Sequence, residues 1–138
     1  MRDALIAQIQ RHEGLRLKPY HCTAGKLTIG YGRNLEDVGI TAHEAEILLV
    51  GDLSRCEDAC LHAFPWFADL SESRQDVILN MCFNLGLAGL KKFTKFLRAV
   101  ELGNYDTAAD EMLDSLWAKQ VKSRALELAG MMRGPESV

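Results

Sequence analysis

The chain opens with a short amphipathic pattern. Between residues 3 and 13, apolar side chains such as Leu5 and Ile9 recur at helical spacing with polar residues between them, which predicts a helix. Gly14 follows directly, and glycine commonly ends a helix because it tolerates a left-handed conformation. Glu13 is therefore expected at a helix C-terminus, where the negative end of the helix dipole disfavours an ionised carboxylate. Helix formation alone does not explain an acid at that position.

The pattern then changes to a period of two. Residues 15–20 are typical of an extended segment, residues 21–25 are rich in turn formers, and residues 26–32 alternate like a strand. Together they predict a small β-hairpin. Gly30 and Gly32 weaken a strand unless backbone or a ligand approaches closely there.

Helical periodicity dominates the rest of the chain. Residues 33–40 are expected to be a polar loop, and Thr41 followed by Glu44 is a capping-box pattern that opens a long helix. Pro65 halts that helix, so we expect it to run to about residue 63. Further helices follow, with a break near Gly89. Their predicted ranges are 72–85, 90–102, 105–114 and 122–132.

These elements predict an α+β fold that is mostly helical and forms a single domain over residues 1–138. We expect a hairpin lobe over about 14–40 and a connecting helix over about 41–63. A helical lobe is expected over about 64–138, together with the N-terminal helix. A cleft between the two lobes is the default place for a ligand.

Composition limits the classes of function. The 138 residues are 48% hydrophobic and 25% charged, as in an ordinary globular domain. The net charge of −3 lacks the basic footprint of a nucleic-acid-binding protein, so we expect no nucleic-acid partner. The sequence has neither a secretory apolar segment nor an apolar span of membrane length, so we expect no membrane insertion. We expect a monomer.

The chain has four cysteines, at positions 22, 56, 60 and 82. They lack the spacing of a metal site, the four histidines do not converge, and we expect neither a metal nor a cofactor. A chain of this size needs no disulfide framework, so free thiols in a reducing compartment are favoured. Cys56, Cys60 and Cys82 are predicted to be small core residues.

Several segments resemble one known family. Residues 13–20 (EGLRLKPY) and 28–32 (TIGYG) resemble the phage lysozymes of glycoside hydrolase family 24, the T-even phage lysozyme family. Residues 80–86 (NMCFNLG) are similar to that family's buried helix lining the cleft. Trp117 and Arg124 fall in the same order and at similar intervals. The resemblance spans nearly the whole chain and implies a lysozyme-like fold.

The resemblance also implies three catalytic positions. The general acid of the family maps to Glu13, and the threonine that holds the nucleophilic water maps to Thr28. An aspartate in the hairpin turn assists attack on the sugar, and that position here holds Cys22. Glycoside cleavage needs a protonated acid beside the leaving oxygen and a second group that serves the anomeric carbon. The chain therefore keeps two of the three groups and changes the middle one.

Cys22 leaves three interpretations open. A thiol with a pKa of about 8.5 is mostly protonated at pH 7, so it lacks the steady charge of an aspartate unless something lowers that pKa. His21 would help only if it were protonated and folded back. Cys22 either replaces the aspartate as a weaker base or nucleophile, or is dispensable beside Glu13 and Thr28, or merely fills the turn in a protein of low activity.

Three further residues are candidates for substrate binding or for support of the site. Phe83 and Asn84 suit a saccharide, although the apolar character of their helix favours a core position for Phe83 and for Met81. The position of Arg124 matches a family arginine near the glutamate. The resemblance therefore implies that Arg124 orients Glu13.

The implied activity is that of a peptidoglycan hydrolase cutting the β-1,4 bond between N-acetylmuramic acid and N-acetylglucosamine. The implied biological role is that of a phage or prophage endolysin, which waits in the host cytoplasm until a separate protein opens the membrane. Bacterial peptidoglycan is the expected partner. Two alternatives stay open: a cell-wall-binding domain that has lost turnover, and a lytic transglycosylase, which also uses one dominant acid.

Overall fold

The computed structural model describes residues 2–135, so the ends of the predicted domain, residue 1 and residues 136–138, lie outside the described residues. Within 2–135, seven α-helices and one three-stranded antiparallel sheet confirm the mostly helical α+β class. The chain divides into two compact units, residues 1–48 and 49–138. The predicted grouping of the N-terminal helix with the helical lobe stays a prediction.

The first unit contains one helix and the sheet. Its elements are α1 (Asp3–Glu13), β1 (Arg16–His21), β2 (Leu27–Gly30) and β3 (Arg33–Asn34). Gly14 ends α1 with a φ of 72° and donates its N–H to Gln10 O at 2.9 Å, as predicted. The predicted hairpin is confirmed as β1 and β2. The predicted loop over 33–40 is wrong at its start, because β3 pairs there with β2 and sets Thr28 opposite Asn34.

A capping box starts the long helix α2 (Ala42–Ala63). Thr41 donates its backbone N–H to Glu44 Oε1 at 2.9 Å, and Glu44 donates its own N–H to Thr41 Oγ1 at 3.1 Å. This confirms the predicted start, and α2 ends just before Pro65 as predicted. Arg33 also holds the Glu44 carboxylate through two hydrogen bonds of 2.8 and 2.7 Å. Those bonds, and then the Thr41 N–H, lower the pKa of Glu44 to about 2.

The second unit is a group of helices. They are α3 (Glu72–Lys91), α4 (Thr94–Glu101), α5 (Tyr105–Leu113), α6 (Leu116–Val121) and α7 (Ser123–Arg133), preceded by a 3₁₀ turn at Phe67–Asp69. The helix predicted over 72–85 ends where expected, because Gly86, with a φ of 75°, interrupts α3. The predicted helix over 90–102 starts later than expected, at Thr94.

Helix α6 was missed by the periodicity. Ser115 caps it, because the Ser115 hydroxyl accepts a hydrogen bond from Ala118 N at 3.1 Å. Lys122 then separates α6 from α7 with a φ of 53°, the only positive φ of a non-glycine residue between residues 2 and 135. Six residues are too few to establish a helical period in the sequence.

The apolar core lies in the second unit, where α5 packs on α4 and α7, and α3 packs on α7. Twenty apolar side chains are buried there among the described residues. The largest are Phe67, Phe96, Ile78, Met81 and Leu90. Cys60 and Cys82 are buried and Cys56 is half-buried against the same core, which confirms their predicted role. Burial raises the pKa of the Cys56 thiol to about 11.

None of the helices between residues 2 and 135 has the length and apolar character needed to cross a membrane.

Candidate active site

Glu13 is the last residue of α1, and its side chain lies against Gly32. A β-carbon placed on Gly32 would stand 2.7 Å from Glu13 Oε2 and 3.1 Å from its carboxyl carbon. Gly32 has a φ of +85°, whereas Gly30, with a φ of +70°, has no atom within 4 Å of the corresponding position. The group that approaches Gly32 is therefore the side-chain carboxylate of Glu13, rather than the backbone or ligand that a glycine in a strand suggests.

Cys22 stands at the start of the turn between β1 and β2. Its N–H donates to Lys26 O at 2.9 Å, and its carbonyl accepts from Gly25 N at 2.8 Å. The pKa of the Cys22 thiol is lowered, first by the backbone N–H of Lys26, then by that of Ala24. Backbone amides of the turn, rather than the side chain of His21, therefore favour the thiolate.

Thr28 lies on β2 opposite Tyr20 of β1. It is 3% exposed and is the one buried polar residue among residues 2–135. Its hydroxyl donates to Lys26 O at 2.8 Å, the same carbonyl oxygen that accepts from Cys22 N. The structure therefore brings Thr28 and Cys22 together at one carbonyl.

The hydroxyl of Thr28 also contributes to lowering the pKa of the Cys22 thiol. It carries a single proton, so it donates either to Lys26 O or to the sulfur at any one time. In the structure this hydroxyl donates to Lys26 O, at a distance of 2.8 Å. Ionisation of Cys22 would draw the hydroxyl proton towards the sulfur, because a charged acceptor makes the stronger hydrogen bond.

In the second unit, two asparagine side chains on α3 are held by residues from later helices. Arg124 donates from Nε and Nη2 to Asn80 Oδ1 at 2.9 and 2.6 Å. Trp117 donates from Nε1 to Asn84 Oδ1 at 2.8 Å. With its carbonyl oxygen engaged, Asn84 presents its amide N–H groups as donors on an exposed part of the helix.

Asn80 was not singled out in the sequence. The sequence feature that could have identified Asn80 is its position one helical turn from Asn84, on a helix that is otherwise largely apolar. The core interpretation is correct for Met81, which is fully buried, and wrong for Phe83, which is 43% exposed. The predicted orientation of Glu13 by Arg124 joins residues of different units and stays a prediction.

The chain is similar to known proteins over most of its length. The sequence profile of the family described as "Phage lysozyme" matches residues 10–134. The chain is 33% identical over 133 residues to an endolysin of Acyrthosiphon pisum secondary endosymbiont phage 1, covering 93% of this chain and 87% of the relative. It is 34% identical over 125 residues to the endolysin of Salmonella phage P22, covering 85% of this chain and 82% of that protein.

A third relative is much longer. The chain is 32% identical over 150 aligned positions to the pre-baseplate central spike protein Gp5 of Enterobacteria phage T4, covering 88% of this chain but 26% of that protein. The residues matched by the family profile, 10–134, include Glu13, Cys22 and Thr28. By this profile match and these identities, the chain belongs to the phage lysozyme family.

Proposed function

We propose that this protein is a peptidoglycan hydrolase of the endolysin type, a muramidase that cuts the β-1,4 bond between N-acetylmuramic acid and N-acetylglucosamine. Family membership and the two endolysin relatives support the activity class. The observation that carries the proposal is the pairing of Cys22 with Thr28 at the carbonyl of Lys26, in the same compact unit as Glu13.

In the proposed mechanism, Glu13 donates its proton to the leaving glycosidic oxygen as the C–O bond breaks. A water molecule, hydrogen-bonded to Thr28, attacks the anomeric carbon. The Cys22 thiolate accepts the proton that this water loses. The lowered pKa of Cys22 favours that role, because a base must be ionised before the reaction in order to accept a proton.

The second unit is proposed to contribute to substrate binding. The exposed ring of Phe83 offers an apolar face to a sugar, and the N–H groups of Asn84 offer donors to an acetamido or carboxylate oxygen. Trp117 holds the Asn84 amide, so the Asn84 donors have one orientation before substrate arrives. Arg124 holds the neighbouring Asn80 in the same way.

Host-cell lysis is the proposed biological role, on the strength of the endolysin relatives. In this role the protein acts on the cell wall. Residence in the host cytoplasm and release by a separate membrane-permeabilising protein belong to the same proposal and stay predictions.

The direct test replaces Glu13→Gln and follows the clearing of a peptidoglycan suspension by turbidity. We expect the initial rate to fall by about 10²–10⁴-fold, the usual contribution of a positioned general acid. Glu46→Gln is the matched control, because it removes one carboxylate from an exposed position on α2. The proposal is wrong if Glu13→Gln clears as fast as the wild type. A wild type that binds the wall but never clears it would indicate a binding domain.

The role of Cys22 is tested separately. We expect Cys22→Ser to lose activity at least tenfold and Cys22→Asp to retain more of it, because aspartate is ionised near neutral pH. Alkylation should inhibit the wild type and leave the residual rate of Cys22→Ser unchanged. Cys56→Ser, at a half-buried thiol, is the control. Full activity after confirmed alkylation of Cys22 would remove this residue from the mechanism.

Mass spectrometry of the products distinguishes the hydrolase from a transglycosylase. Hydrolysis adds a water molecule and leaves a reducing end, whereas a transglycosylase leaves an anhydro-sugar end. Anhydro ends as the main product would replace the proposed reaction with the alternative.

A further inference from the structure

The approach of Glu13 to Gly32 links the candidate acid to a backbone position outside the three family positions. The two residues are 19 positions apart in the chain and belong to the same compact unit. Among residues 2–135, the Glu13 carboxylate forms neither an ion pair within 4.0 Å nor a hydrogen bond. The side chain of Glu13 is exposed, and the bare backbone of Gly32 bounds one side of the space that its carboxylate occupies.

The fit depends on the missing side chain of Gly32. A β-carbon there would be 2.7 Å from Glu13 Oε2 and would contact three atoms of the Glu13 side chain. Real side chains essentially never reach that separation, so either the carboxylate or the backbone would have to move. Because the carboxylate ends a flexible side chain, we expect the carboxylate to move.

The consequence of such a movement is kinetic. A general acid acts only when its proton lies within hydrogen-bond reach of the leaving oxygen. A misplacement of about 1 Å can cost about 100-fold in rate. Glutamate at position 13 has three rotatable side-chain bonds, so without a hydrogen-bond partner its conformation depends on rotamer preference and on steric contacts such as that with Gly32.

We infer that Gly32 is a positioning residue: its bare backbone forms a notch that holds the Glu13 carboxylate in the orientation for proton donation. This inference rests on the proposed role of Glu13 as the acid. It assigns to Gly32 a function in addition to its positive φ, and it predicts that even a methyl group at position 32 is harmful to catalysis.

The chain offers a matched control in Gly30. Both glycines have a positive φ, +70° at Gly30 and +85° at Gly32, and both lie in the same segment. A β-carbon on Gly30 meets nothing within 4 Å. An alanine at either position therefore suffers similar backbone strain, but only Gly32→Ala collides with Glu13.

The experiment compares initial rates of muropeptide release from purified sacculi over a range of sacculus concentrations. We expect Gly32→Ala to lower kcat about 100-fold with little change in KM, because the lost contact acts on proton transfer rather than on binding. Gly30→Ala should stay within about threefold of the wild type. Thermal melting of both variants checks that each is folded and that their losses of stability are similar.

A double-mutant cycle with Glu13→Asp tests whether Gly32 acts through Glu13. Aspartate is one methylene shorter, so its carboxylate does not reach the notch. In that background Gly32→Ala should lower the residual rate no more than Gly30→Ala does. A further 100-fold loss in the Glu13→Asp background would overturn the inference.

The remaining outcomes are also decisive. If Gly32→Ala behaves like Gly30→Ala in the wild-type background, the notch has no kinetic role and the inference is wrong, while a slow Glu13→Gln would leave the proposed acid intact. If Glu13→Gln is fully active, the proposed function fails first and the notch has nothing to position.

Discussion

The two compact units of this protein are stabilised by different interactions. In the described part of residues 49–138, which ends at residue 135, twenty apolar side chains are buried in one continuous core. In the described part of residues 1–48, the buried side chain is the polar Thr28, and the fold depends on turn glycines, backbone pairing and the Arg33–Glu44 hydrogen bonds. Hydrophobic burial is the larger source of free energy, so the second unit is expected to dominate the stability of the chain.

This difference indicates that the candidate catalytic residues and the main source of stability lie in different units. Glu13, Cys22 and Thr28, the three candidate catalytic residues, all lie in the unit without an apolar core. Their positions are set by hydrogen bonds and by glycine backbone, which fix local geometry without burying much surface. Substitutions in the first unit should therefore change activity more than stability, and core substitutions in the second should do the reverse.

The largest effect is expected from Phe96→Ala. Phe96 is 1% exposed in the core, and a phenylalanine-to-alanine change in such a site lowers the free energy of unfolding by about 3–5 kcal/mol. Leu17→Ala in the first unit, at an 80% exposed position, should change it by no more than about 0.5 kcal/mol. Urea denaturation followed by circular dichroism measures both. Equal losses would contradict the proposed division of roles.

Thr28→Val tests the polar centre of the first unit. Valine has a similar shape but cannot donate to Lys26 O, so we expect a loss of about 1 kcal/mol in unfolding free energy. The clearing rate should fall at least tenfold, because the water-holding hydroxyl is removed. Thr28→Ser should restore both. If the valine variant clears normally, the hydroxyl is structural only.

A stabilising change is expected at the junction of α6 and α7. Lys122 has a φ of 53° and a ψ of −112°, a region that strains a residue with a β-carbon. Lys122→Gly should raise the free energy of unfolding by about 1 kcal/mol. Lys119→Gly removes the same charge inside α6 and should lower it by about 1 kcal/mol. A loss at both positions would show that the strain is not relieved by glycine.

The smallest effect concerns pH. The pKa of Glu44 is lowered from 4.5 to about 2, chiefly by Arg33. The ionised carboxylate therefore stabilises the folded state above about pH 4.5, and this stabilisation is lost as the pH falls towards 2. The melting temperature of wild type should exceed that of Glu44→Gln near neutral pH, and the gap should close in acid. In an Arg33→Gln background the gap should be smaller, because only the hydrogen bonds from Thr41 then lower the pKa of Glu44.

Much of the helical architecture follows from local signals in the sequence. The end of α1 at Gly14, the capping box of α2 and the arrest before Pro65 were all predicted, because caps and breakers act within one turn. The end of the predicted helix over 72–85 is confirmed by the break at Gly86, although local signals did not decide between Gly86 and the neighbouring Gly89 as the breaker. The exposure of Phe83 was not predicted, because helical periodicity identifies an apolar residue but not which neighbours cover it.

The sequence by itself determined the fold class, most helix boundaries and, through the family resemblance, the three candidate residues Glu13, Cys22 and Thr28. Only the tertiary structure decided how these residues are held. In the folded chain Gly32 lies against the carboxylate of Glu13. The backbone N–H groups of the turn lower the pKa of the Cys22 thiol, and Arg124 donates a hydrogen bond to Asn80. These contacts join residues up to 44 positions apart. The physical reason is that such pairs have no local spacing rule: their separation in space depends on the path of the whole chain.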